Sequence, residues 1–247
     1  MDLKELENGV DPSSHWYYRS KYLPLKRYFE DLHSSTGERA LTTIIDFGSG
    51  SGFFAERLLQ DFPERIKKVY LVDIGYPEDM VAASKGNIVE KSHVVPEGIS
   101  NALILMMDVL EHLEDPAGVL ETVKARLGEE VFCFVTVPAF MSVWSTHDVF
   151  LGHYRRYTLD TLSDLLNAMG TRIDKGYYIY FSIFPLVWLL RRLKRSAAEM
   201  NNPSSSDMQP TAAPVNAILL AFHSLEMKLT RNNRWFGLTC VAEGKMK

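Results

Sequence analysis

The chain has 247 residues, 46% hydrophobic and 23% charged, which suits one large globular domain with insertions. A formal net charge of -4 argues against broad binding to nucleic acid, which wants a basic face. The two cysteines, Cys133 and Cys240, stand far apart in apolar runs, outside any metal-ligand spacing, and read as buried thiols.

The opening MDLKELENGV has no apolar signal core, so a cytoplasmic protein is expected. Residues 1–40 read as a mainly helical cap. Ser13 and Ser14 are placed to start a helix carrying Trp16, Tyr17, Tyr18, Tyr22, Leu25, Tyr28, Phe29 and Leu32. Pro24 is expected to kink or break it. Such a helix packs on the main fold or lids a site; its His15-Trp16-Tyr17-Tyr18-Arg19 opening resembles that of a bacterial subgroup of class I methyltransferases, which implies the lid and points to Trp16 and Arg19 as substrate contacts.

Thr42 to Leu59 reads TTIIDFGSGSGFFAERLL: a β-branched run, Asp46, glycines at 48, 50 and 52, then a helical period. Glycine permits positive φ and close approach of a ligand to bare backbone, and the following helix turns its free N–H groups toward the loop. A dinucleotide loop wants Gly-x-Gly-x-x-Gly, but position 53 is Phe. Asp46 would repel a pyrophosphate and attract a cationic ligand. The pattern Asp46-x-Gly48-x-Gly50-x-Gly52 resembles the first motif of class I S-adenosylmethionine (SAM) methyltransferases. That resemblance implies a Rossmann-like α/β fold and SAM as cofactor.

Lys68 to Asp73 reads as the second strand, ending in an acid 21 residues beyond Gly52 and suited to accepting two ribose hydroxyls. Residues 76–86 predict a short helix and Asn87 to Val94 a weak third strand, which leaves the adenine contact unassigned. Asn101 to Met107 is nearly all apolar, as a central parallel strand buried on both faces should be. It leads into Asp108-Val-Leu-Glu-His-Leu-Glu-Asp-Pro116. This segment resembles the fourth motif of the methyltransferase branch that includes quinone-biosynthesis enzymes. The likeness implies that Asp108 and Val109 line the cofactor and that the Glu111-His112 turn faces the active site. A local turn that merely fixes the loop is the structural alternative.

Pro116 opens a helix to about Leu127. Glu130 to Val137 reads as a buried strand, and the alternation predicts a doubly wound parallel sheet, which the resemblance to class I methyltransferases makes mostly parallel and seven-stranded. Beyond Pro138 lies a stretch dense in Trp144, His147, Asp148, His153, Tyr154, Arg155, Arg156 and Tyr157. With the His15-Trp16 opening, it resembles a bacterial subgroup of the same methyltransferases. Arg155 and Arg156 are candidates for holding an anionic substrate group, or else ion pairs that anchor the loop. Candidate bases are His112, His147 and His153, with Tyr157 and Tyr154 behind them. Thr158 caps a helix that ends at Gly170.

Thr171–Phe181 and Gly237–Glu243 read as strands, and the resemblance to class I methyltransferases implies that they form the closing antiparallel pair, with residues 182–235 as a helical insertion between them. Its apolar helix ends in Arg191, Arg192, Lys194 and Arg195. A polar, mobile linker is expected over 196–214. A second helix, Ala217 to Leu229, carries Ile218, Phe222, Leu225 and Leu229 on one stripe. The insertion either packs as an ordinary helical pair, makes a dimer, caps an apolar pocket, or touches an anionic membrane surface through 184–195.

The reading is a SAM-dependent methyltransferase acting on a small-molecule or lipid-linked acceptor, with no metal expected. Alternatives are an NAD(P)-dependent oxidoreductase and a catalytically silent SAM-fold partner-binding protein. Tyr-x-x-x-Lys pairs, as oxidoreductases use after their loop, occur at Tyr17/Lys21 and Tyr22/Lys26, before it.

Overall fold

The computed structural model describes residues 9–36, 41–193 and 211–246. Seven strands form one sheet: β1 (Thr43–Phe47), β2 (Lys68–Val72), β3 (Val89–Ser92), β4 (Ala102–Met107), β5 (Val131–Pro138), β6 (Thr171–Ile179) and β7 (Thr239–Met246). Their order is β3-β2-β1-β4-β5-β7-β6. The first five pair in parallel, and β7 runs antiparallel to both β5 and β6. All six residues of β4 are buried, as a strand covered on both faces requires. Burial of each Leu or Ile there contributes roughly 1.5–3 kcal/mol.

Helices cover both faces. α1 (Trp16–Thr36) and α2 (Phe53–Asp61) fill one core layer with Tyr18, Leu25, Phe29, Phe54 and Leu58. α3 (Glu78–Ser84) flanks β3 and buries none of its residues. On the other face α4 (Pro116–Arg126) contributes Leu120 and Val123. α5 (Thr146–Leu151) is a single short turn beyond β5, and α6 (Leu159–Ala168) adds Leu159, Leu162 and Leu166. The insertion holds α7 (Phe184–Leu193) and α8 (Ala213–Leu229). The expected linker overlaps α8 by two residues, since Pro214 is tolerated in a helix's first turn. Residues 196–210 of it, with Lys194 and Arg195, lie outside the described residues.

Two expectations change. α1 runs through Pro24 without ending. A mid-helix proline costs about 3 kcal/mol, and burial of Leu25, Tyr28 and Phe29 in the following turn offsets it. Nor do Ser13 and Ser14 cap α1 with their side chains. Asn216 of α8 does so, accepting from Trp16 N–H at 2.8 Å and donating to the Ser14 carbonyl at 2.9 Å.

The direction of the α8 stripe, which its period leaves open, is settled by its buried residues. Its buried face is His223, Glu226 and Met227. The apolar stripe Val215, Ile218, Phe222, Leu225 and Leu229 points outward, each residue between 48% and 70% exposed. The inward polar groups pair with one another: His223 Nδ1 meets Glu226 at 2.7 Å, Ser182 donates to Glu226 through its hydroxyl at 2.7 Å, and Trp16 stacks on His223 at 4.9 Å, while His223 Nε2 has no hydrogen-bond partner.

Candidate active site

β1 lies between β2 and β4, so the strand order reverses at its carboxyl end. A crevice opens at such a switch point. Asp46, Asp73, Asp108 and Pro138 all fall at this edge of the sheet.

The glycine loop is shaped by packing as well as by conformation. Gly48 and Gly52 have φ of +69° and +79°. A Cβ on Gly48 would stand 2.6 Å from Val109 Cγ2, and one on Gly52 would stand 2.6 Å from Leu71 Cδ1. The loop is therefore pressed flat against β2 and the β4 turn, leaving bare backbone toward the crevice. Gly50 donates its N–H to Asp73 Oδ2 at 2.8 Å, and Gly75 donates to Asp73 Oδ1 at 2.9 Å. Asp73 is thereby fixed at the end of β2 while half-exposed. Tyr76, which the sequence reading passed over, donates to the Gly50 carbonyl at 2.8 Å and meets Ser49 Oγ at 2.7 Å.

Asp46 is buried and accepts the N–H of Ala55 in the first turn of α2. Burial pushes its carboxyl up to about 7. Among the described residues it has no cationic partner. A positively charged ligand beside it would supply one.

Asp108 stands at φ +55° and accepts from Thr136 Oγ1 at 3.1 Å. Its other oxygen is ion-paired with Lys21 of α1, whose side chain is fully buried and also donates to Tyr17 Oη at 2.9 Å. Burial opposes charge on Asp108, but Lys21 outweighs it and holds the carboxyl below the ordinary carboxylate range. Lys21 was missed as a site residue. Its sequence signal is a lysine in an otherwise aromatic run, and the partner lies far along the chain.

The later loop folds onto this edge. Asp148 is buried, accepting from Arg156 Nε at 2.7 Å and Nη2 at 3.0 Å and facing His153 Nδ1 at 3.0 Å. Burial disfavours its charge, but His153 and Arg156 hold it well below the ordinary range. Arg156 also donates to the Ala139 carbonyl at 3.1 Å. Arg155 donates to the carbonyls of Leu113 and Glu114 at 3.1 and 2.7 Å. Both guanidinium groups thus anchor loops, the structural alternative to anion capture. His147 is half-buried on α5, while the neighbouring Asp148 carboxylate engages His153 and Arg156.

His112 and His153 come together, ring centroids 4.6 Å apart and edge-on. Tyr157 is buried and donates to the Leu110 carbonyl at 3.1 Å, and burial pushes its hydroxyl up to about 12. It holds the Leu110–His112 turn and stays protonated, a role unlike the base expected of it. Tyr154 is exposed, with the Arg155 guanidinium over its ring. Trp16 is stacked against α8, and Arg19 is exposed on α1.

A family described as "Methyltransferase domain" matches residues 16–175. The chain belongs to this methyltransferase family. Solved structures share the fold. A SAM-dependent methyltransferase from Thermotoga maritima is 16% identical, with a TM-score of 0.50 over 94% of this chain and 93% of that one. A SAM-dependent methyltransferase from Mesorhizobium loti is 14% identical, with a TM-score of 0.50 over 87% of this chain and 96% of that one. The [4+2]-cyclase SpnF is 13% identical, with a TM-score of 0.51 over 90% of this chain and 80% of that one. No curated protein matches the sequence. These likenesses support a methyltransferase and lend nothing to an oxidoreductase. That a cyclase shares the fold is a reminder that chemistry lives in the site.

Proposed function

We propose that this methyltransferase uses S-adenosylmethionine to methylate an apolar or lipid-linked acceptor held at an anionic membrane surface. The observation that carries the cofactor is the convergence of a bare glycine loop with Asp46, Asp73 and Asp108 on three adjacent strand ends. SAM supplies a methyl group on a positively charged sulfur. Asp46 suits its cationic end, and half-exposed Asp73 suits the ribose hydroxyls while Gly50 and Gly75 orient it. The chain's own task is to hold an acceptor close and in line, which supplies several kcal/mol of the barrier reduction. In the metal-free chain, His112 and His153, which lie edge-on to each other, are the candidates for taking a proton from an acceptor hydroxyl or acidic carbon.

The acceptor class rests on the insertion. α7 exposes Leu186, Leu189, Leu190 and Leu193, α8 exposes its stripe, and Trp235 beyond it is 85% exposed. Large apolar side chains exposed in such number on one insertion mark an interaction surface. Arg192, Lys228 and Arg234 stand on the same segments, whereas their one described acid, Glu226, is buried. A basic, apolar face on an acidic chain complements an anionic bilayer. α7 also reaches the site loop: Arg191 donates to the Val143 carbonyl at 2.5 Å and lies 3.9 Å from Asp148 Oδ2. The likeness of Asp108–Pro116 to quinone-biosynthesis enzymes agrees with an apolar acceptor. No described helix is long and apolar enough to cross a membrane.

Incubation with methyl-tritiated SAM and a membrane lipid extract tests this. Protein-dependent label in the organic phase is expected. Label that stays in water-soluble products would refute the acceptor class.

A further inference from the structure

Glu111 is 1% exposed, and neither of its carboxylate oxygens has a hydrogen-bond partner. Leaving such a group unpaired is costly, so either a proton or a cation must complete it. The surroundings are those of a cation. One ligand-type atom from each of Glu111, His112 and His153 lies within 4.8 Å of the other two. The spacing is slightly open for a bound ion, since ligands about 2.0–2.2 Å from a metal stand roughly 3–3.5 Å apart. A bound ion would have to draw the three groups closer together.

His153 is oriented as metal-bound histidines are. Its Nδ1 faces the buried Asp148 carboxylate at 3.0 Å, and Arg156 clamps that carboxylate through two nitrogens. With Asp148 ionised, Nδ1 is the donor, which leaves the Nε2 lone pair for a ligand. The Glu111-His112 turn is fixed from the other side by Tyr154, whose N–H donates to the Glu111 carbonyl at 2.8 Å, and by Tyr157.

We propose that Glu111, His112 and His153 form a site for one divalent transition-metal ion. Two imidazoles and one carboxylate select zinc, manganese, iron or cobalt over magnesium or calcium, which prefer all-oxygen shells. The proposal departs from the expectation of no metal because residues 111–112 and 153, separate in sequence, converge in space. Three protein ligands leave coordination positions unfilled, and a cation with such a position open to an acceptor would polarise its oxygen. That catalytic role rests on the methyl-transfer reading, whereas the site itself does not.

The test is titration of the chelator-stripped full chain with cobalt(II) chloride, read by visible absorption and calorimetry. One ion per chain is expected, displaced by zinc. Glu111→Gln and His153→Gln should each weaken binding at least about tenfold, and His33→Gln, a histidine on α1, should not. Far-UV circular dichroism verifies folding, and His112→Gln replaces either variant that fails to fold. Absence of stoichiometric cobalt in the wild type, or equal affinity in Glu111→Gln, overturns the site. Titration of the same stripped sample with SAM separates the two ideas: cobalt binding without SAM binding sinks the methyl-transfer reading and leaves the metal site standing, and the reverse holds equally.

Discussion

Lys21 of α1 is ion-paired with Asp108 at the end of β4, and Tyr17 takes a second hydrogen bond from the same ammonium. The N-terminal helix is therefore part of the site floor as well as of the core. Lys21→Met should leave Asp108 uncompensated and cost about 3 kcal/mol, the low end of the range for a broken buried pair because Asp108 keeps some contact with water. Lys21→Met/Asp108→Asn should recover most of the loss. Urea unfolding of the two variants checks this, and an additive double variant would contradict the pairing.

Asp46 should make cofactor binding depend on pH. Its folded carboxyl titrates near 7, above its ordinary 3.8. The folded protein thus holds a proton that the unfolded chain has lost, and ligand-free stability should fall as pH rises from about 4 to about 7. A cationic ligand favours the ionised form, so affinity for SAM should rise with pH toward 7 by up to about tenfold per unit and then level off. Calorimetry over a pH series reads this. Asp46→Asn should flatten the profile and weaken binding throughout.

Asp148 has the opposite sign. Its carboxyl is held below the ordinary range, so its contribution is present above about pH 4 and is lost as pH falls through the depressed value. Asp148→Asn strands the buried Arg156 guanidinium and should cost about 3–5 kcal/mol at neutral pH. Chemical denaturation at pH 7 and at acidic pH tests both parts, since the difference between wild type and variant should shrink in acid.

The outward stripe of α8 predicts a surface activity. The protein should float with anionic vesicles and less with neutral ones, and salt should weaken the association. Phe222→Glu/Trp235→Glu should abolish flotation without lowering thermal stability, because both residues face outward. Unchanged flotation of that variant would contradict the assignment of the face.

Local patterns carried much of this structure. The β-branched run, the alternate glycines and the following helical period mark β1, the loop and α2 because those signals lie within one short stretch. The apolar run at β4 marks the sheet centre for the same reason. What was not legible depends on distant partners. The period of α8 shows a stripe but not its direction, which His223 and Glu226 decide by pairing with each other and with Ser182. The Asn216 cap on α1 joins segments 200 residues apart. Arg155 and Arg156 read as equally fit for anions or anchors until Asp148 and the Leu113 and Glu114 carbonyls appear beside them. Glu111 looked like one turn residue among several because its isolation from hydrogen-bond partners is a tertiary fact.

The central claim is that the glycine loop and its three acids hold S-adenosylmethionine. Calorimetric titration of the purified chain with SAM, with NADH as the comparison and Asp73→Ala as the variant, tests it most directly. Micromolar binding of SAM, weakened about tenfold or more by Asp73→Ala, with no binding of NADH, is the predicted result. Failure of SAM to bind the folded wild type, or preference for NADH, would contradict it.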